Sequence, residues 1–221
     1  MSWTAPLAFA GCTLAIGLVA LVAESDLRLP GNHRGYEPEQ PIRYSHRLHA
    51  GDLGIACLGC HYGAETSRHA GVPPASVCMG CHRHVTAGID AVVTEREAAA
   101  AEGREPRRVV SAELRKLYDA VGLGDDLQPD PARTPRPIEW VRVHQLPDHV
   151  AFDHSVHVAR GLACEQCHGP VRSMERMRQD ADLSMGWCMD CHRRTPAAPD
   201  GLSPTTAGGP HVSVDCARCH Y

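Results

Sequence analysis

The sequence predicts a mainly helical and irregular fold, with short helices and loops wrapped around something other than an apolar core. Three observations carry that expectation. Phe, Trp and Tyr make up only 5% of the 221 residues, so few large side chains are available to fill an interior. Gly contributes 20 residues and Pro 17, which limits the length of regular elements and multiplies loops. The chain also holds 11 Cys and 15 His, far above ordinary usage. Its net charge of -4 comes without a basic run, which speaks against nucleic acid as a partner.

The first 23 residues read as a transmembrane anchor. WTAPLAFAGCTLAIGLVALVA, residues 3–23, carries no charge, and as a helix it spans about 31 Å, roughly the hydrocarbon thickness of a bilayer. It lacks a basic leading region, and its apolar run exceeds that of a cleaved signal. FAGC at 9–12 faintly resembles a lipoprotein box, but the apolar residues after Cys12 place that cysteine inside the helix instead. Residues 24–43 follow as an extended, Pro- and Gly-punctuated linker.

Ten of the cysteines then fall into five copies of one motif: CLGCH (57–61), CMGCH (78–82), CEQCH (164–168), CMDCH (188–192) and CARCH (216–220). Two of these fall in a first unit, 44–88, and two in a second, 136–194; the last closes the segment 195–221. Between the units lies an insertion, 89–135. It begins with the polar, Ala-rich helix candidate AVVTEREAAAAEGREPRR and continues with the short amphipathic SAELRKLYDAVGLG, where Ser111 and Glu113 suit a first turn. QPDPARTPRP is a spacer, and IEWVRVHQLPDHV reads as a short strand or extended segment. The two units repeat one another. His46-x-x-His49 precedes the first motif as His154-x-x-His157 precedes the third, with Tyr44 and Phe152 two residues ahead of each pair.

Cys-x-x-Cys-His is the attachment signature of c-type haem. Two thiols add to the vinyl groups of one porphyrin, and the adjoining imidazole becomes an iron ligand. The short intervening turn places both sulfurs and the imidazole along one porphyrin edge. Five copies predict five covalently bound c-type haems, held by Cys57, Cys60, Cys78, Cys81, Cys164, Cys167, Cys188, Cys191, Cys216 and Cys219. The proximal ligands are His61, His82, His168, His192 and His220. Zinc knuckles would pair two by two, leave one motif over, and have no use for the trailing histidine. A disulfide framework would not place a His directly after every second Cys, and thioredoxin-like chemistry would not need five copies.

A low-spin, electron-carrying haem needs a second axial ligand. His46, His49, His154 and His157 are placed to supply it, the first of each pair to the haem directly downstream and the second to a neighbour, as in the class III-like di-haem units of small multihaem cytochromes. The remaining histidines read first as loop residues. Candidates for the fifth distal ligand are His144, Met174, Met185 and His69, ahead of His33, His84, His149 and His211; a Met ligand would raise the potential. Because such haems are attached outside the bacterial cytoplasm, the expected placement is a single-pass, N-in protein of the inner membrane with its haem region in the periplasm.

PIEWVRVHQLPDHVAFDHSVHVARGLACEQCHGPV, LSMGWCMDCHRRTP and SRHAGVPPASVCMGCHRHV resemble the pentahaem cytochrome c subunit of bacterial alternative complex III, a quinol:electron acceptor oxidoreductase. The resemblance covers 44–88 and 136–221. It implies a non-catalytic electron-transfer subunit, partnered by an iron–sulfur-cluster subunit, NrfD-like multi-helix membrane subunits and a monohaem cytochrome c, with membrane lipid around the anchor. Electrons from quinol oxidised in the multi-helix subunits would pass to a periplasmic cytochrome c or terminal oxidase. A rival is a stand-alone membrane-anchored quinol dehydrogenase feeding a periplasmic reductase, although about 33 residues separate its anchor from Cys57. A catalytic multihaem reductase needs an open iron position, which the supply of candidate ligands disfavours.

Overall fold

The computed structural model describes residues 33–195 and 212–220, together with Gly17. The predicted anchor apart from Gly17, Cys12 included, together with His211 and most of the loop after Thr195, lies outside the described residues. Among the described residues no helix is long and apolar enough to cross a membrane.

The helices are short, as the glycine and proline content requires. In chain order they are α1 (Cys57–Cys60), α2 (Ala75–His82), α3 (Ile89–Glu102), α4 (Ala112–Ala120), α5 (His154–Ala159), α6 (Glu165–His168) and α7 (Met185–Arg194). A π-helical turn covers Arg47–Asp52, and 3-10 turns cover Tyr62–Glu65, Val171–Ser173 and Cys216–Arg218. The first four motifs each sit on α1, α2, α6 or α7, and the fifth on the last 3-10 turn. The segment at 138–150 is extended but joins no sheet; its one pairing is an isolated antiparallel bridge between Val150 and His220.

Both helices expected in the insertion form. The Ala-rich α3 ends at Gly103 in the left-handed conformation, φ 65°, where glycine alone avoids a Cβ penalty. Ser111 caps α4 by accepting from Leu114 N at 3.3 Å. The amphipathic face of α4 makes the largest apolar cluster, Leu117 and Tyr118 packed on Met79 of α2, with Ile42, Val110, Leu114 and Ile138 around them. Tyr118 is fully buried, and its hydroxyl donates to the His82 carbonyl at 2.7 Å. The insertion therefore braces the second motif.

Elsewhere side-chain burial is thin. Ala50, Ala64, Ala99 and Ala120 are nearly half of the buried apolar residues, whereas Leu53, Tyr62, Val72, Val85 and Val156 are exposed near the motifs. A chain this sparse leaves much apolar surface for another group to cover.

The two units interlock reciprocally. The π turn that follows His46 packs on the segment after the third motif: Arg47 N donates to Met174 O at 2.9 Å, and Arg172 Nη1 to Ala50 O at 2.5 Å. Gly51 sits where any Cβ would run into the Arg172 carbonyl, so backbone approaches backbone. In return, α5 packs on the segment after the first motif, with His154 N donating to Arg68 O and Ser155 N to Ser67 O, both at 3.2 Å. The later part of the predicted linker is docked rather than loose. Buried Gln179 accepts from Gly35 N through its carbonyl at 2.7 Å and donates through its backbone N–H to Tyr36 O at 3.0 Å.

Candidate haem-binding site

The distal segments show why their histidines hold position. Ser45 Oγ accepts from Leu48 N at 3.0 Å and caps the first; Asp153 Oδ1 accepts from Ser155 N at 2.8 Å and caps the second. One turn on, His49 Nδ1 bonds Ser45 O at 2.8 Å and His157 Nδ1 bonds Asp153 O at 2.7 Å. Tyr44 stands edge-on to His46 and stacks on His49, at 4.9 and 4.4 Å between ring centres. Phe152 repeats this with His154 and His157, at 4.8 and 4.5 Å. The sequence repeat is thus a structural repeat down to ring orientation.

Each of these four histidines faces a motif histidine. Ring centres lie 6.5 Å apart for His46 and His61, 6.1 Å for His49 and His82, 6.3 Å for His154 and His168, and 6.2 Å for His157 and His192. Direct stacking contact does not explain so constant a gap. Two imidazoles bonded to one iron at about 2 Å each place their ring centres roughly 6 Å apart. The first pair of each unit is nearly parallel, at 10° and 9°, and the second is inclined, at 64° and 39°.

The outer ring nitrogens are also engaged as an iron ligand requires. Backbone carbonyls accept from Nδ1 of His61 (Gly71 O, 2.8 Å), His82 (Val85 O, 2.8 Å), His154 (Arg68 O, 2.8 Å) and His192 (Ser213 O, 3.1 Å). With Nδ1 protonated, Nε2 of each ring keeps a free lone pair. His46 differs, its buried Nδ1 having no hydrogen-bond partner. Burial, with His61, His49 and His168 nearby, pushes its pKa down to about 4, so the ring is neutral at neutral pH. None of the ten motif cysteines is engaged in a disulfide. No group of three or more His, Cys, Asp or Glu among the described residues converges on one point to hold a bare metal ion, as a zinc knuckle would require. The donor set therefore fits paired thiols with facing imidazoles, which suits c-type haem.

The histidine of the fifth motif meets a residue that the sequence had ranked low. His149 and His220 stack at 5.5 Å between ring centres, inclined by 24°. The candidates placed ahead of His149 lie elsewhere. His144 contacts His168, Nε2 to Nδ1 at 3.1 Å; burial, then His168, lower its pKa to about 4. Met174 is buried beneath the π turn, Met185 opens α7 with 70% of its surface exposed, and His69 is exposed in the loop after the first motif. Nothing local marks His149, because its partner lies 71 positions along the chain.

Paired thiols, facing imidazoles and a sparse helical scaffold together suit the attachment of several c-type haems. Comparison with known proteins agrees. Residues 150–221 match the family described as cytochrome c7 and related cytochrome c. Over 132 residues the chain is 30% identical to the menaquinone reductase multihaem cytochrome c subunit of Nitratidesulfovibrio vulgaris strain Hildenborough, covering 60% of this chain and 47% of that one. The chain thus spans about half the length of this curated relative.

Proposed function

We propose that this chain carries five c-type haems and serves as the electron-transfer subunit of a quinol-linked membrane complex of the alternative complex III type. The observation that carries this reading is the set of four histidine pairs spaced at 6.1–6.5 Å, each containing one motif histidine. The ten motif cysteines hold the five haems. His61, His82, His168 and His192 serve as proximal ligands opposite His46, His49, His154 and His157, and His220 is the proximal ligand of the fifth. Bound haem supplies one-electron redox chemistry. The chain fixes the imidazoles through backbone carbonyls and keeps neighbouring sites close by setting two distal ligands on one short turn. Residues 1–23 anchor it N-in, with the remainder in the periplasm beside iron–sulfur, NrfD-like and monohaem cytochrome c subunits.

The test is affinity purification from detergent-solubilised membranes through a tag after Tyr221, with haem staining and mass spectrometry of the co-purifying chains. Haem-stained protein together with those subunits, and reduced by quinol, supports the reading. Protein without haem stain overturns it.

The relative's name favours a second reading, in which electrons flow toward the quinone. In that case a reduced periplasmic cytochrome would drive menaquinone reduction by the purified complex, and quinol would leave the haems oxidised.

A further inference from the structure

We infer that His149 is the distal iron ligand of the fifth c-type haem, opposite His220. The inference rests on the haem reading above. Every other motif histidine of the structure faces a second imidazole, and His220 faces His149. The antiparallel bridge from Val150 to His220 and the bond from Ala151 N to Cys219 O at 2.7 Å hold the two rings beside one another. A turn closed by Val150 N on Pro147 O at 2.9 Å carries His149. At 5.5 Å the ring centres are slightly closer than in the other four pairs. His144 is engaged by His168, so it is not the competing donor.

The test is the haem-loaded chain with His149→Ala, read by optical and electron paramagnetic resonance spectra and by carbon monoxide binding. One of five haems turning high-spin and binding carbon monoxide is the expected result, while His144→Ala leaves all five low-spin. His149→Met keeps the fifth haem six-coordinate with a raised potential. Five low-spin haems in His149→Ala overturn the assignment and leave the five-haem reading standing. Fewer than five haems in the unsubstituted chain, counted as pyridine haemochrome, overturn both.

Separate contacts carry a second proposal: the geometry points to attachment sites arranged in single file, in the order second, first, third, fourth, fifth motif. The reciprocal interlock joins the first and third. His154, which faces His168 of the third motif, bonds Arg68 O at 2.8 Å, and His61 of the first bonds Gly71 O in the same loop at 2.8 Å. The Cys57 side chain of the first motif lies beside that of Cys164 in the third. The second site adjoins the first through the turn carrying His46 and His49, and the fourth adjoins the third through α5 carrying His154 and His157. His192 of the fourth bonds Ser213 O, just ahead of the fifth motif, at 3.1 Å. The second and fifth motifs are left at the two ends, where electrons enter and leave. Anomalous scattering at the iron edge from crystals of the haem-loaded chain tests the order. Single-file irons with the second and fifth motifs terminal support it. Five irons with the first or third motif at an end overturn the order alone; fewer than five overturn it together with the five-haem reading.

Discussion

His144 Nε2 lies 3.1 Å from His168 Nδ1, so one motif histidine is held by a second imidazole where His61, His82 and His192 are held by backbone carbonyls. With its pKa lowered to about 4, chiefly by burial, His144 is neutral at neutral pH; with His168 Nε2 on iron, the His168 Nδ1 carries a proton that His144 Nε2 can accept. An accepted proton makes the donor ring a stronger iron ligand and favours the oxidised metal.

Replacing His144 by Leu removes that acceptor. The midpoint of one haem is expected to rise by on the order of 60 mV, the equivalent of a tenfold shift for one electron. His144→Gln, which retains an acceptor, should recover part of the change. Spectroelectrochemical titration checks this, and five unchanged midpoints would reduce the contact to packing.

Tyr118 ties the insertion to the second motif. Tyr118→Phe leaves the His82 carbonyl without its donor and should cost about 1 kcal/mol. Tyr118→Ala, which also opens the cluster with Met79 and Leu117, should cost about 3–5 kcal/mol. Urea denaturation of the haem-loaded protein measures both, and equal losses would deny the ring its packing role.

The half-buried Glu95 carboxylate gives a pH dependence with a definite sign. Bonds from the Arg104 guanidinium, then the Arg107 backbone N–H, lower its pKa from 4.5 to about 2. Its contribution to stability is complete above pH 4.5 and is lost as pH falls through 2. Thermal melts of the parent and Glu95→Gln should differ at pH 7, with the gap narrowing below pH 4.5 and closing toward pH 2. A gap that stays constant would remove the pair from the account.

Cys164→Ala should loosen the protein where the two units interlock. With one thioether lost at the third motif, α5, α6 and the loop at 66–71 lose part of what orders them, and limited proteolysis should cut there first. A digestion pattern identical to that of the parent would show that the remaining contacts suffice.

The sequence by itself determined the five C-x-x-C-H motifs, the two-unit repeat, the paired His-x-x-His turns and both helices of the insertion. Those features are local. A C-x-x-C-H turn, a cap at Ser111 and a His-x-x-His turn are specified by residues a few positions apart, so spacing and residue type suffice to read them. The docking of residues 33–43 through Gln179, the bracing of the second motif by Tyr118, the engagement of His144 by His168 and the stacking of His149 on His220 were decided only by the tertiary structure. Each brings together segments 24 to about 140 positions apart. Which loop imidazole meets which motif depends on how the reciprocal interlock folds the chain back, and a histidine in a polar loop carries no mark of the partner it will meet.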